Sequence, residues 1–276
     1  YEPEVSLVAR RELERHMTIL TGREVVGGDQ RGGKKVLSWT ERRTGASGEV
    51  EAEGVLIAAG REPLTSLLHP ERAGIRTDAA GWIQVDGHME TSQPGVWAFG
   101  DADGRYLYKH VANYESEVVY QNAVLKTSVE VEYRAVPHAV FTYPEVAGVG
   151  ITEAQAIQAH GEGGVAIGFQ RYEDTAKGEA MGASDYFVKG VVHAESGRIL
   201  GAQIVGPHAS ILIQEVVNAM NGSEGTVSSL GSAMHIHPAL SEVVQRAFLS
   251  LSSPHEYHHA LVHLGLERGE GDPLEG

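Results

Sequence analysis

His237 and Glu242 carry the sharpest chemistry in the sequence. A histidine five residues before a glutamate, with Pro238 between them and a helix beginning near Ser241, can set the carboxylate against imidazole Nδ1. Such a hydrogen bond fixes the tautomer, raises basicity and leaves Nε2 for proton transfer. Alone, the spacing is weak evidence of function. A second candidate is Gly100-Asp101, which closes the apolar run 96–99. A carboxylate at the end of a buried strand accepts hydrogen bonds from sugar-like hydroxyls, and the start of the next helix offers N–H groups and a positive dipole end. Without further context Asp101 reads more simply as a turn or capping carboxylate. Gly60 likewise ends an apolar run, as a tight-turn residue or as a point where backbone comes close to a ligand. His255, His258, His259 and His263 fall at i, i+3, i+4 and i+8, so three could share a helix face and take up a metal. Glu256 is the only carboxylate among them, so they are read as adventitious nickel or zinc ligands and no metal site is assigned. There is no cysteine, hence no disulfide, thiolate zinc site or thiol nucleophile within this chain.

These groups need elements to hold them. Residues 3–15 read as a helix with Pro3 in its first turn and Val5, Leu7, Val8, Ala9 and Leu13 on one side. Residues 17–20 are a short strand candidate, and 27–35 a Gly/Lys/Arg/Asp turn region. Val36 to Thr40 alternates like a half-buried strand, and 44–48 is a hairpin turn leading into 49–53. Residues 55–60 form a continuous apolar run, the pattern of a strand buried on both faces. Short strands follow at 82–86 and 96–101, then a helix over 107–125 with Val111, Ala112, Val118, Val119 and Ala123 inward. Beyond about 133 come strands at 136–142, 169–172, 186–189, 191–193 and 199–205. A helix at 152–160 starts from Thr152, a hairpin turn lies at 195–198, and helices span 209–220 and 241–250. Ile211, Leu212, Ile213, Val216 and Val217 read as core or interface residues. The tail from Gly265 is polar, Gly-rich and loose.

Composition narrows the classes. The net charge is 22 − 37 = −15 over 276 residues, which disfavours binding to a nucleic-acid backbone. No run of about 18 apolar residues marks a membrane helix. The opening Tyr1-Glu2-Pro3-Glu4 lacks an initiator Met and the features of a signal peptide, so the chain is expected to be cytoplasmic and a piece of something longer. Glycine is abundant at 34 residues, fitting many tight turns or close backbone contact with a ligand.

Four stretches carry a resemblance. They are residues 55–63 (VLIAAGREP), 91–101 (TSQPGVWAFGD), 137–150 (PHAVFTYPEVAGVG) and 235–242 (HIHPALSE). In order and spacing they resemble the flavin- and pyridine-nucleotide-dependent disulfide oxidoreductases, the family of dihydrolipoamide dehydrogenase, glutathione reductase and mycothione reductase. The likeness runs over roughly residues 3–250 and corresponds to the back part of that family. The Gly-rich FAD loop, the Cys pair and the Gly-rich NAD(P) loop have no counterpart here, since no GxGxxG and no cysteine occur. The implied fold is mixed α/β and α+β: the remnant of a Rossmann-type NAD/FAD domain (1–131), an α+β dimerisation domain with an antiparallel sheet (132–252) and a C-terminal tail (253–276).

The resemblance also implies roles. Asp101, with Gly100, would hold the ribityl chain of FAD, and Leu107, Tyr108, Lys109 and His110 would lie at the helix start near the flavin. Gly60, with Arg61 on the same edge, would approach NAD(P), and Val25 would be a further nicotinamide-side contact. His237 and Glu242 would be the acid–base pair of dithiol–disulfide exchange, acting on the flavin and dithiol of the opposite subunit in a homodimer; His235 reads as structural. Retention of the histidine and a tail without cysteine disfavour soluble transhydrogenases and mercuric reductases. Residues 109–113 (KHVAN) look more like the mycothione-reductase branch and its lipoamide-dehydrogenase-like neighbours. The disulfide substrate, and NAD versus NADP, stay open. The expected function is the C-terminal portion of an FAD-dependent NAD(P) disulfide oxidoreductase. The alternative is a non-catalytic dimerisation or binding module, and a weaker third reading is metal binding through the tail histidines.

Overall fold

The computed structural model describes residues 1–266. It contains two compact units, one of Tyr1–Leu56 with the chain from Arg134 onward, the other of Ile57–Tyr133.

In the first unit Pro3 opens helix α1 (Pro3–Glu14), where a missing N–H costs nothing, and Val5 and Val8 are buried together with Glu4 of its first turn. Three antiparallel strands follow: β1 (Arg23–Arg31), β2 (Lys34–Glu41) and β3 (Ser47–Ala52). β2 stands where alternation placed it, and β3 follows the expected hairpin turn but takes up its last two residues, Ser47 and Gly48. The expected turn region at 27–35 is instead mostly strand. Only Gly32 and Gly33, both with left-handed φ, make the turn, and a bulge between Val25 and Gly27 absorbs the glycines inside β1. The expected strand at 17–20 does not form; Met17 and Leu20 are exposed and no strand pairs with them.

The second unit has one long helix, α2 (Lys109–Ala123), with Val111 and Val118 buried as its periodicity required. The expected strands at 55–60, 82–86 and 96–101 are corrected here. Residues 55–60 form no ladder, and Leu56 and Ile57 are 91% and 84% exposed. A strand buried on both faces needs a neighbour on each edge, and among the described residues none pairs with this run. Residues 82–97 make only single bridges, Thr77 to Ile83, Val85 to Thr91 and Glu90 to Trp97. The chain then tightens into a 3₁₀ turn at Gly100–Ala102.

From Arg134 onward the first unit resumes with β4 (Pro137–Val140), β5 (Val146–Gly150), α3 (Glu153–His160), β6 (Val165–Arg171) and α4 (Ala176–Ala180). Next are β7 (Phe187–His193), β8 (Ile199–Val205), α5 (Ala209–Asn221), α6 (Ser228–Gly231), α7 (Ser241–Leu249), β9 (Leu251–Ser252) and α8 (Pro254–Leu264). All pairings in this six-stranded sheet are antiparallel, in the order β4-β5-β8-β7-β6-β9. Thr152 caps α3 through a full capping box with Gln155. The two strands expected at 186–193 are one, continuous through Gly190. A side chain there would strike the Phe248 ring at 2.6 Å, and one at Gly168 would strike the Ala247 carbonyl at 2.1 Å. These two glycines let α7 lie directly on the sheet. Val243, Val244, Ala247 and Phe248 are buried against it, and Leu212, Ile213, Val216 and Val217 of α5 join the same core.

A charged cluster is also buried in this unit. Lys189 of β7, 1% exposed, reaches Glu4 at 2.6 Å, Glu153 at 2.7 Å and Glu2 at 3.1 Å. Tyr257 Oη donates to Glu4 at 2.5 Å, and His258 Nε2 lies 2.7 Å from Glu153. The cluster ties α1, α3 and α8 to the sheet. Burial works against the Glu4 charge, but Lys189 and Tyr257 outweigh it and hold the carboxyl below its ordinary range. Burial likewise opposes the Lys189 charge, and Glu4, Glu2 and Glu153 more than offset it, so the ammonium is held above its ordinary range. His258 is thus engaged with Glu153, and among the described residues no three His, Asp or Glu side chains group to hold a metal. Most of the expected loose tail, 267–276, lies outside the described residues.

Candidate functional site

α7, seated on the sheet by Gly168 and Gly190, presents Glu242 in its first turn. The loop leading into it is held by His235, whose Nε2 meets Glu215 of α5 and whose Nδ1 lies 3.1 Å from the Ala233 carbonyl. Gln245 Nε2 donates to the same carbonyl at 2.9 Å. His235 is therefore structural, as expected. His237 Nδ1 lies 3.0 Å from Glu242 Oε1 and 3.1 Å from Oε2, and the Ala239 N–H donates to Oε2 at 3.2 Å. The hydrogen bond from His237, then that from Ala239, hold the Glu242 carboxyl below its ordinary range. The His237 side chain is 65% exposed while that of Glu242 is 10% exposed. Among the described residues no group bonds His237 Nε2. A sheltered carboxylate fixing Nδ1 of an exposed imidazole leaves one nitrogen for proton exchange with a ligand.

The second unit builds a different site around Asp101. Glu115, fully buried on α2, accepts from the Gly100 N–H at 2.6 Å and from Tyr133 Oη at 2.6 Å. Burial raises the Glu115 carboxyl above its ordinary range, and these two donors only partly offset it. Gly100 has φ +66, and a Cβ there would meet Ala112 Cβ at 2.9 Å, so the turn presses onto the helix. Asp101 is thereby set out from a fixed turn. Its carboxylate pairs with Arg61 Nη1 at 2.8 Å, and the same nitrogen donates to the Leu107 carbonyl at 2.9 Å. An open cavity of about 790 Å³ beside it is lined by Arg61, Leu64, Leu67, Trp82 and Asp101 among others. Tyr108 is the N-cap of α2 and no side chain caps the helix. The Tyr108 and His110 rings stack 5.3 Å apart, and Lys109 bonds Asn113.

The expected residues therefore fall into groups. His237 and Glu242 meet. Gly100, Asp101, Leu107 and the α2 start share one neighbourhood, joined by Arg61. Gly60 lies in an exposed extended segment with φ +101, and Val25 is an exposed residue of β1 in the other unit. Two residues escaped the sequence reading. Glu115 had a signal: it is a charge on the inward face of α2, between Val111 and Val118. Arg246, 3.5 Å from Glu242 Oε1, stands one turn further along α7, a spacing that was readable but ordinary.

Comparison with known proteins bears on this arrangement. The chain is 39% identical over 236 residues to mycothione reductase of Mycobacterium tuberculosis, covering 84% of this chain and 50% of that protein. It is 34% identical over 257 residues to dihydrolipoyl dehydrogenase of Synechocystis, covering 90% of this chain and 54% of that one. It thus spans about half the length of the curated relatives it matches. The crystal structure of LpdA from M. tuberculosis superposes with a TM-score of 0.79 at 25% identity, over 89% of this chain and 52% of that one. An HOCl-induced flavoprotein disulfide reductase from Escherichia coli shares the fold, with a TM-score of 0.77. Residues 1–131 match the pyridine nucleotide-disulphide oxidoreductase model and residues 136–248 match the dimerisation-domain model of the same name. The fold is accordingly a mixed α/β one, Rossmann-type and then dimerisation domain. The chain belongs to the pyridine nucleotide-disulphide oxidoreductase family.

Proposed function

We propose that this chain is the C-terminal portion of a cytoplasmic, homodimeric flavoprotein that moves electrons between NAD(P), FAD and a dithiol or disulfide, with 1–131 in the nucleotide-binding region and 132–252 as the interface domain. Members of the family use FAD and NAD(P)H. The observation that carries the reading is the His237–Glu242 pair, a fixed and half-exposed acid–base group within the matched dimerisation domain. Glu242 holds the proton at Nδ1; His237 exchanges a proton at Nε2 with a substrate thiol, keeping the attacking sulfur a thiolate and protonating the leaving one. Exposed apolar side chains of this unit, Phe141, Tyr143, Ile211, Met234 and Ile236, suit burial against a second copy.

The residues present fit FAD in part. Asp101 is a half-exposed carboxylate on a turn fixed by Glu115, beside an open cavity, and would accept hydrogen bonds from the hydroxylated chain of FAD in exchange for Arg61. The start of α2 would favour negative charge on the flavin ring. FAD, when bound, supplies the redox chemistry. For NAD(P), Gly60, Arg61 and Val25 offer backbone, one cation and an apolar side chain, and the sequence has no Gly-rich pyrophosphate loop. This chain alone therefore lacks the pyrophosphate loop for NAD(P), and with no cysteine it lacks the dithiol. Those two absences favour the second reading, a dimerisation module without redox activity, for the isolated polypeptide.

The discriminating experiment is a flavin fluorescence titration. The purified chain is expected to be colourless, redox-inactive and dimeric by sedimentation, yet to quench added FAD weakly and reversibly, with Asp101→Ala abolishing the quenching. Quenching that persists in Asp101→Ala removes the assignment of that residue. No quenching by the parent chain leaves the dimerisation module alone.

A further inference from the structure

Arg246 is the one cation that touches the acid–base pair on the same helix. Its Nη2 lies 3.5 Å from Glu242 Oε1, the oxygen that is 3.0 Å from His237 Nδ1. Its other terminal nitrogen, Nη1, donates to the Asp174 carbonyl at 3.2 Å, which fixes the guanidinium from a second element. The remaining charges nearby are engaged elsewhere: Arg171 pairs with Glu173 and Asp174, and His235 pairs with Glu215. Glu242 therefore serves two cations at once whenever the imidazole is protonated.

We propose that Arg246 is a positioning residue for the His237–Glu242 pair, sharing a carboxylate oxygen with the imidazole and so limiting how strongly Glu242 holds the imidazolium. This rests on the reading of that pair as the acid–base group. The consequence is chemical. A carboxylate alone would bias the imidazole toward its protonated form; a guanidinium on the same oxygen counters that bias and keeps the ring able both to take and to return a proton. Glu242 does not depend on Arg246 alone for its place, because the Ala239 N–H and His237 Nδ1 also bond its carboxylate. Loss of Arg246 thus changes the electrostatics more than the geometry.

The test is an NMR titration of the His237 ring in the full chain. Arg246→Met is expected to raise its midpoint by about 0.5 pH unit, the size of a partly screened charge interaction over several ångströms. Arg246→Lys, which keeps the charge, should restore at least half of that shift. In a Glu242→Gln background the effect of Arg246→Met should fall to less than half, because it acts through the carboxylate. A midpoint unmoved or lowered in Arg246→Met, or an equal shift in Arg246→Lys, overturns the proposal and leaves Arg246 a helix anchor on Asp174. If Glu242→Gln alone leaves the midpoint in place, the pair itself is the reading that fails. If Glu242→Gln moves it and Arg246→Met does not, only this inference fails.

Discussion

Phe187–His193, which carries Lys189 and His193 among its apolar residues, and the wholly apolar residues 55–60 are two short runs with different fates. The first is the buried middle of a six-stranded sheet, with β8 on one edge, β6 on the other and α7 packed across it. The second is extended chain with side chains in solvent. The more apolar run is the exposed one, so neighbours, not composition, decide their fates. A strand is stabilised by the ladder and the layer it joins, so an apolar run tells of a strand only when its partners are also in reach. The same contrast holds for charge. Lys189 is buried among three carboxylates, whereas Arg61 and Asp101 pair in the open.

Hydrogen exchange should show the contrast most strongly. Amides of β7 and β8 are expected to exchange slower than those of 55–60 by a factor on the order of 10³ or more, since the former open only with the sheet. Comparable rates would mean that 55–60 has a ladder partner after all. Next in size is Lys189→Met, which leaves Glu2, Glu4 and Glu153 buried without their cation. It should cost about 3–5 kcal/mol, read as a denaturant midpoint shift. Its pH dependence should also invert. In the parent chain the Glu4 contribution is present above the unfolded carboxyl range near 4.3 and is lost as pH falls through the lowered folded value. The Lys189 contribution is present below about 10.4 and is lost as pH rises through the raised one. In Lys189→Met, protonating the orphaned carboxylates relieves repulsion, so acidifying from pH 7 to 5 should stabilise the variant.

Glu115→Ala brings the comparison into the second unit. It strips the acceptor from the Gly100 N–H and Tyr133 Oη, for about 1–3 kcal/mol, and should be visible in the fluorescence of Trp82 and Trp97. A change below a few tenths of a kcal/mol would mean that the Asp101 turn is held by other contacts. The smallest effect belongs to Asp101→Asn, a surface pair with Arg61 whose loss should alter stability by no more than about 0.5 kcal/mol. A larger loss would make that pair structural.

Legibility followed the same division. The helices at 3–14, 109–123, 153–160, 209–221 and 241–249 were readable because apolar periodicity is local, helped by Pro3 in the first turn of the first and the Thr152 cap of the third. So was the approach of His237 to Glu242, five residues apart across a helix start. What could not be read depends on sequence-distant partners: the Lys189 cluster joins residues 2, 4, 153, 189 and 257, and the passage of α7 over Gly168 and Gly190 shows only in three dimensions. Strand β1 was missed because its glycines mimic a turn, and the bulge that accommodates them leaves no local signal.

The central claim is that Glu242 makes His237 an acid–base group. It is tested most directly by the ring ¹⁵N shifts of neutral His237 in the parent chain and in Glu242→Ala. The parent ring should carry its proton on Nδ1, facing the carboxylate, with Nε2 bare, and the variant should shift toward the Nε2–H tautomer. A tautomer balance unchanged in Glu242→Ala would contradict the claim and leave His237 an ordinary surface histidine.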